Sequence, residues 1–185
     1  MPDDVLHVLA EDCGRDAEMF VDTITSVATG EQPEAALPLC LLALAQVQLM
    51  GARLGAMEDV VLDERFEADA GPDAEIEELR DGLALMFAGL DEYADVTDPM
   101  TDPTPTTGSL SGDLTEIASS LAHGHAHLVA GRITEALWWW QFDYLADWGE
   151  RAAAAMRAIH ALVAHVRLDI DPDVVAEAEF DALHP

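Results

Sequence analysis

Seven histidines and 37 carboxylates supply nearly all the chemistry open to this sequence of 185 residues. His123 and His127 stand four apart, so on a helix they share a face, the spacing at which two imidazoles hold zinc or another transition metal. Two ligands do not make a site. No Glu-x-x-His occurs, which removes the di-iron carboxylate bundle pattern, and no His-Glu-x-x-His occurs either. Histidines in the last turns of a helix also interact favourably with its dipole without binding anything. His160 and His165, five apart, are poorly aligned for chelation, and His7 reads as a surface residue near a helix start.

The carboxylates are too numerous to single any out. Between Glu58 and Asp81 eleven acids face Arg65 and Arg80 alone, a density that could attract a hard divalent cation. The D-x-D-x-D-G order of a calcium loop is missing there. Asp169, Asp171 and Asp173 imitate its start, but Val174 replaces the glycine and Phe180 the bidentate glutamate. Nucleophile elbows, phosphate-cradling glycine loops and Cys-His pairings are likewise absent from the sequence. Cys13 and Cys40 read as small buried hydrophobes in a reducing compartment.

Aromatic residues form the other notable cluster. All four tryptophans fall in one stretch, with Trp140, Tyr144 and Trp148 recurring at i, i+4 and i+8 and Trp138, Phe142 and Leu145 making a second stripe. So wide an apolar arc marks a buried helix. The candidate pocket or interface residues are therefore Trp139, Trp140, Tyr144 and Trp148, joined by His123, His127 or His160. Trp139 is the best candidate for exposure, since its neighbours already occupy the two stripes.

The elements that must position these residues can be traced in order. A helix is expected from Asp4 to about Ala28, closed by Gly30. A second, apolar almost all round, runs from Ala35 to Leu54, where Pro38 must either begin the regular helix or kink it. A third, from about Asp73 to Ala94, carries Leu83, Phe87 and Tyr93 on its buried stripe. A fourth starts near Ser109 or Ser111 and ends at Gly131. The fifth is the tryptophan helix, entered through a Thr134 N-cap with Ile133 and Trp138 as hydrophobic staple and running to Leu168, with Gly149 admitting a neighbouring helix. The expected fold is all-α, a single-domain bundle over 1–185 of about five longer helices plus a short C-terminal one. The second and fifth helices should be central, with an acidic loop at 58–73 and a Pro/Thr/Asp-rich linker at 95–108.

The run Ala136-Leu137-Trp138-Trp139-Trp140-Gln141-Phe142-Asp143-Tyr144, followed by Asp147-Trp148-Gly149 and Ala158-Ile159-His160, resembles the signature of the bacterial domain-of-unknown-function 5063 family, in an actinobacterial-type form. Tyr93, Asp98-Pro99, Ser109-Leu110 and Asp113-Leu114 extend the likeness upstream. The resemblance implies a helical protein and brings no activity, cofactor or catalytic residue with it. Members often carry Arg where this chain has Gln141 and His where it has Asp147, so a positive charge beside the aromatic cluster is not implied here.

The net charge of -29, with eight arginines and no lysine, excludes direct gripping of phosphate backbones and opposes anionic membranes. No secretory signal is visible, and the run Ala35–Ala45 is about half the ~20 residues of a membrane span, so a cytoplasmic location is expected. Half of the residues are apolar, which argues against global disorder. The leading expectation is a non-enzymatic protein-binding module with a protein partner, no cofactor and no metal, with homo-oligomerisation left open. Two alternatives remain: a small-molecule or metal-binding bundle with a pocket beside the Trp/Tyr helix, and an acidic nucleic-acid mimic acting on a DNA-processing partner.

Overall fold

The computed structural model describes residues 3–62, 75–96 and 100–168. Most of the expected acidic loop, Asp98-Pro99, the Asp169–Asp173 run and the expected C-terminal helix lie outside them.

Among the described residues the structure is all-α apart from one two-stranded ribbon. Helix α1 (Asp3–Thr29) leads through a 3-10 turn at Pro33–Ala35 into α2 (Ala36–Gly55), so Pro38 sits in the first helical turn, where its missing N–H breaks nothing. After α3 (Glu75–Met86) come β1 (Glu92–Asp95), β2 (Thr106–Ser109) and α4 (Leu110–Val129). The chain then runs without a break through α5 (Ile133–Asp143), a π-helical turn (Tyr144–Trp148) and α6 (Gly149–Leu168). One buried apolar cluster joins all six helices, with Phe20, Leu44, Leu83, Ile117, Trp140 and Ile159 among its members.

Helix ends follow their local chemistry. Ser109 caps α4 by accepting the Gly112 amide at 3.1 Å. At the other end Gly131 takes a φ of 75° while its own amide donates to Leu128 O at 2.9 Å and the Arg132 amide to His127 O at 2.9 Å. That is the Schellman pattern, which favours glycine. Gly30 plays the same conformational part after α1, with φ 72°.

Three expectations need correction. The third helix stops at Met86 instead of reaching Ala94, because Gly89 takes φ 83° and turns the chain into β1. Tyr93 is therefore a strand residue. The expected linker at 95–108 begins and ends in that ribbon, where Tyr93 pairs Gly108 and Asp95 pairs Thr106. Helix α5 starts at Ile133 with Arg132 as N-cap and no side-chain cap, so Thr134 does not serve as one.

The central position is shared differently from the sequence expectation. The α5–α6 rod is central, but its companion is α4, which packs against α1, α3, α5 and α6. The α4 sequence is rich in Gly, Ala and Ser, and small residues let neighbours come close. Helix α2 packs against α1 and the rod and keeps an outer face, with Leu42 69% and Leu49 56% exposed. By length and mean hydropathy (1.7) Pro33–Gly55 would suffice to cross a bilayer; in this fold its inner side, Cys40, Leu44, Val47 and Leu54, is core.

Both of its glutamines are used. Gln46 Nε2 donates to Asp16 Oδ1 at 2.9 Å, linking α2 to α1, and Gln48 Nε2 donates to the Gly149 carbonyl at 2.8 Å. A π turn widens the hydrogen-bond ladder, and Gln48 binds a carbonyl at its exit.

Trp140 and Trp148 are fully buried. Replacing either by alanine is expected to cost about 3 to 5 kcal/mol in urea unfolding; a loss below about 1 kcal/mol would contradict the burial.

Candidate functional site

The tryptophan helix spends most of its candidate residues on packing. Trp140 donates its indole N–H to Leu121 O at 3.1 Å, and its ring lies so close to Gly124 that a Cβ there would stand 2.2 Å from Nε1. Tyr144 and Trp148, ring centroids 4.9 Å apart, cover Gly51 of α2, where a Cβ would fall 2.3 Å from the Tyr144 ring and 2.7 Å from Trp148. Gly149 faces α2, whose Gln48 reaches its carbonyl at 2.8 Å. A Cβ on it would meet Tyr144 of its own π turn, at 2.3 Å from the carbonyl oxygen and 2.6 Å from the ring. The Trp140 and Trp148 rings are fully buried and fill space between helices.

Trp139 is half-buried, and the exposure expected of it belongs instead to Phe142 and Leu145, at 51% and 63%. Its indole stands edge-on to His123 (centroids 4.4 Å) and beside His127 (6.3 Å). The two histidines share a face of α4 with centroids 5.1 Å apart, as their spacing predicts. Trp138 stacks on Phe142 at 5.0 Å, nearly parallel. The structure thus brings His123, His127 and Trp139 together and leaves His160 out, exposed on α6. Among the described residues no group of three His, Cys, Asp or Glu is arranged to hold a metal ion. Cys13 and Cys40 are free and buried, and burial pushes both thiols up to about 12, which keeps them protonated and unreactive.

Gln141, expected only as a family position, is a buried fastener. Its amide donates to Leu54 O at 2.9 Å and Glu58 O at 3.3 Å, while its oxygen accepts the Val60 amide at 2.7 Å. One side chain closes the end of α2 and holds the strand of chain that follows it. A cation in this position could donate to the carbonyls but could not accept from Val60.

A polar network among the described residues lies elsewhere and was not among the candidates. Asp113, 7% exposed on the first turn of α4, accepts the Tyr93 hydroxyl at 2.5 Å and Arg151 Nη1 at 3.1 Å. Arg151 Nε also spans both oxygens of Asp147, at 2.9 and 2.8 Å. Tyr93 reaches Asp113 by lying across Gly108, where a Cβ would be 2.4 Å from its ring. Around this centre Asp91 binds the Ser109 and Ser111 hydroxyls and the Ser111 amide at 2.7 to 2.9 Å, and Arg157 binds Asp95. Ribbon, α4, π turn and α6 meet here. Burial raises the Asp113 carboxyl above the usual carboxylate range against the lowering effect of Tyr93 and Arg151, and burial together with Asp113 raises the Tyr93 hydroxyl. Each of these groups already holds its partner, which is the arrangement of a tie between elements.

The family model described as "Domain of unknown function (DUF5063)" matches residues 5–165. The chain belongs to the DUF5063 family. Its fold is similar to the crystal structure of protein BF1032 from Bacteroides fragilis, with a TM-score of 0.66 at 18% identity over 87% of this chain and 92% of that one. No curated protein is significantly similar to it. Within this DUF5063 chain the residues carrying the family likeness divide between two structural tasks. Trp140, Gln141, Trp148 and Gly149 join the rod to its neighbours, and Tyr93, Ser109 and Asp113 fasten the ribbon. The upstream part of the likeness was therefore the available signal for the polar network.

Burial also raises the Asp143 carboxyl, which accepts the Ser120 hydroxyl on the histidine side of α4. A carboxyl raised in the folded state takes up a proton more readily there than in the unfolded chain, so its contribution favours folding at low pH and is lost as pH rises through the interval above about 3.9. The stability contributed by Asp113 and Asp143 is expected to fall as pH rises from about 3.9 to their raised folded-state values. Asp113→Asn and Asp143→Asn should each flatten the slope in urea titrations at stepped pH; an unchanged slope in both would contradict their burial as charged groups.

Proposed function

We propose that this DUF5063 protein is a cytoplasmic, non-enzymatic protein-binding module. The observation that carries the reading is an open groove of about 460 Å³ on the outer side of α1 and α2, lined by Val5, Val8, Leu9, Asp12 and Arg53. Val5 is 49% and Val8 57% exposed there. Apolar contact surface beside carboxylates suits a protein partner, since such faces combine a dehydrated centre with a polar rim. The total charge of -29 supports the same choice by opposing nucleic acids, anionic membranes and a second copy of the chain. Lysine-free, alanine-rich composition supports the actinobacterial-type assignment within the family.

Catalysis is poorly served by the polar groups described. Asp113, Tyr93, Arg151 and Asp147 bind one another, and the two cysteines are held as neutral thiols. The groove also stands apart from the tryptophan helix, which leaves the core free of any demand from recognition.

Affinity capture from the native host with the full chain is expected to return one partner in stoichiometric amount, and Trp139→Ala should retain it, because that ring packs against His123 and His127. Absence of a stoichiometric partner under low-salt crosslinking would contradict the module reading.

A further inference from the structure

The identity of the occupant can be taken further, resting on the binding-module reading. On α1, Val5, Val8, Asp12, Arg15 and Met19 are spaced three and four apart and so share one side of the helix. On α2, Leu42, Gln46, Leu49 and Arg53 do the same. Contacts between the helices place the two stripes against a common furrow: Arg53 meets Asp12 at 3.5 Å, and Gln46 meets Asp16 at 2.9 Å. These pairings set the helices antiparallel, so Val5 and Val8 continue beyond Arg53 at one end, and Met19 and Leu42 face the other. Five apolar side chains on these stripes are about half exposed or more: Val5 49%, Val8 57%, Met19 54%, Leu42 69% and Leu49 56%.

Such a surface has a definite length. From Val5 to Met19 the α1 stripe rises about 21 Å, equal to roughly four turns of a helix laid alongside it. Its charge also has a definite sign. Glu11, Asp12, Asp16, Glu18 and Asp22 all stand on α1 with at least partial exposure, against the single Arg15, and Arg15 and Arg53 both bind Asp12. Within the furrow Asp12 and Asp16 balance Arg15 and Arg53, while Glu11, Glu18 and Asp22 on the same helix are exposed and add net negative charge beside it.

We propose that the α1–α2 furrow binds a cationic amphipathic helix of a partner protein, about four turns long, with an apolar stripe seated between Val5, Val8, Met19, Leu42 and Leu49 and Lys or Arg side chains reaching the carboxylates of α1. Charge complementarity decides the occupant. A second copy would oppose -29 with -29, and a bare polycation would leave the apolar side chains wet. The helix-in-groove mode satisfies both features, using anchors at i, i+3 and i+7 to match the stripes.

The test uses the full chain and a synthetic 18-residue peptide with leucines along one helical face and lysines and arginines on its flanks. Controls are a scrambled peptide of the same composition and a version with glutamate for every cation. Val8→Asp combined with Leu49→Asp changes only exposed positions and adds two carboxylates, so charge alone would tighten binding whereas loss of apolar contact weakens it. The expected result, by fluorescence anisotropy of labelled peptides, is binding weakened about tenfold or more by scrambling, by the double substitution and by raised salt, with no binding of the acidic peptide. Circular dichroism would show helix gained by the amphipathic peptide on binding. Equal affinity for the scrambled peptide, or unchanged affinity in the double variant, would overturn the proposal. So would a concentration-dependent dimer in sedimentation that the double variant abolishes, which would assign the furrow to self-association. If the double variant still captures the native partner, the furrow assignment fails and the binding-module reading stands; if no partner exists for either form, that reading fails as well.

Discussion

The fold depends on a set of close contacts between large aromatic rings and bare backbone. Trp140 rests on α4 where Gly124 has no side chain, and Tyr144 and Trp148 rest on α2 at Gly51. A tryptophan ring and a helix backbone can meet at this distance only through glycine, so these pairs fix how near the rod stands to each neighbour. The π turn belongs to the same constraint. Inserting an extra residue into a helical turn rotates everything beyond it, and here Tyr144 and Trp148 are brought together at 4.9 Å over one glycine. Gly149, folded back against the carbonyl and ring of Tyr144, closes the turn, and its own carbonyl is taken by Gln48.

With the rod seated, the remaining polar groups act as fasteners at its two long edges. Gln141 holds the end of α2 and the segment leading away from it. Arg151, one turn beyond the π segment, holds Asp147 and Asp113 together and so brings the first turn of α4 and the ribbon against α6. An arginine between two carboxylates that is partly shielded from solvent interacts more strongly than an exposed pair. Arg15, bound to Asp12 on an open face of α1, is the contrasting surface case, whereas Arg80 joins α3 to α4 through Glu116 at 2.7 Å.

Much of the fold was legible in residue order. Gly30 and Gly131 marked helix ends because positive φ is costly for other residues, and Ser109 marked a helix start because its hydroxyl binds an amide in the first turn. Other features were hidden for identifiable reasons. Apolar residues on all sides of α2 read as complete burial, but leucine remains on a surface where nothing covers it. Tyr93 fell in phase with the stripe of the preceding helix, and only the φ of Gly89 separates the two. A π turn leaves no trace in an i, i+4 pattern that it also satisfies. Asp113 was one carboxylate among 37, and what distinguishes it is burial, a property of the fold. The candidate residues divided accordingly: the two histidines share a face as their spacing suggested, Trp139 packs against them through the tertiary fold, and His160 does not join them.

In a protein built in this way the buried rings Trp140 and Trp148 carry the structural requirement. The most direct test of the central claim is a double-mutant cycle between Gly124 and Trp140. In an ordinary helix interior Gly→Ala gains up to about 1 kcal/mol. Here Gly124→Ala is predicted to destabilise the wild-type chain yet become far less harmful in a Trp140→Phe background, with a coupling of at least about 1 kcal/mol in urea unfolding. Additive effects, or a Gly124→Ala variant more stable than the wild type, would contradict the claim that contact between the tryptophan ring and the glycine backbone sets the spacing of the bundle.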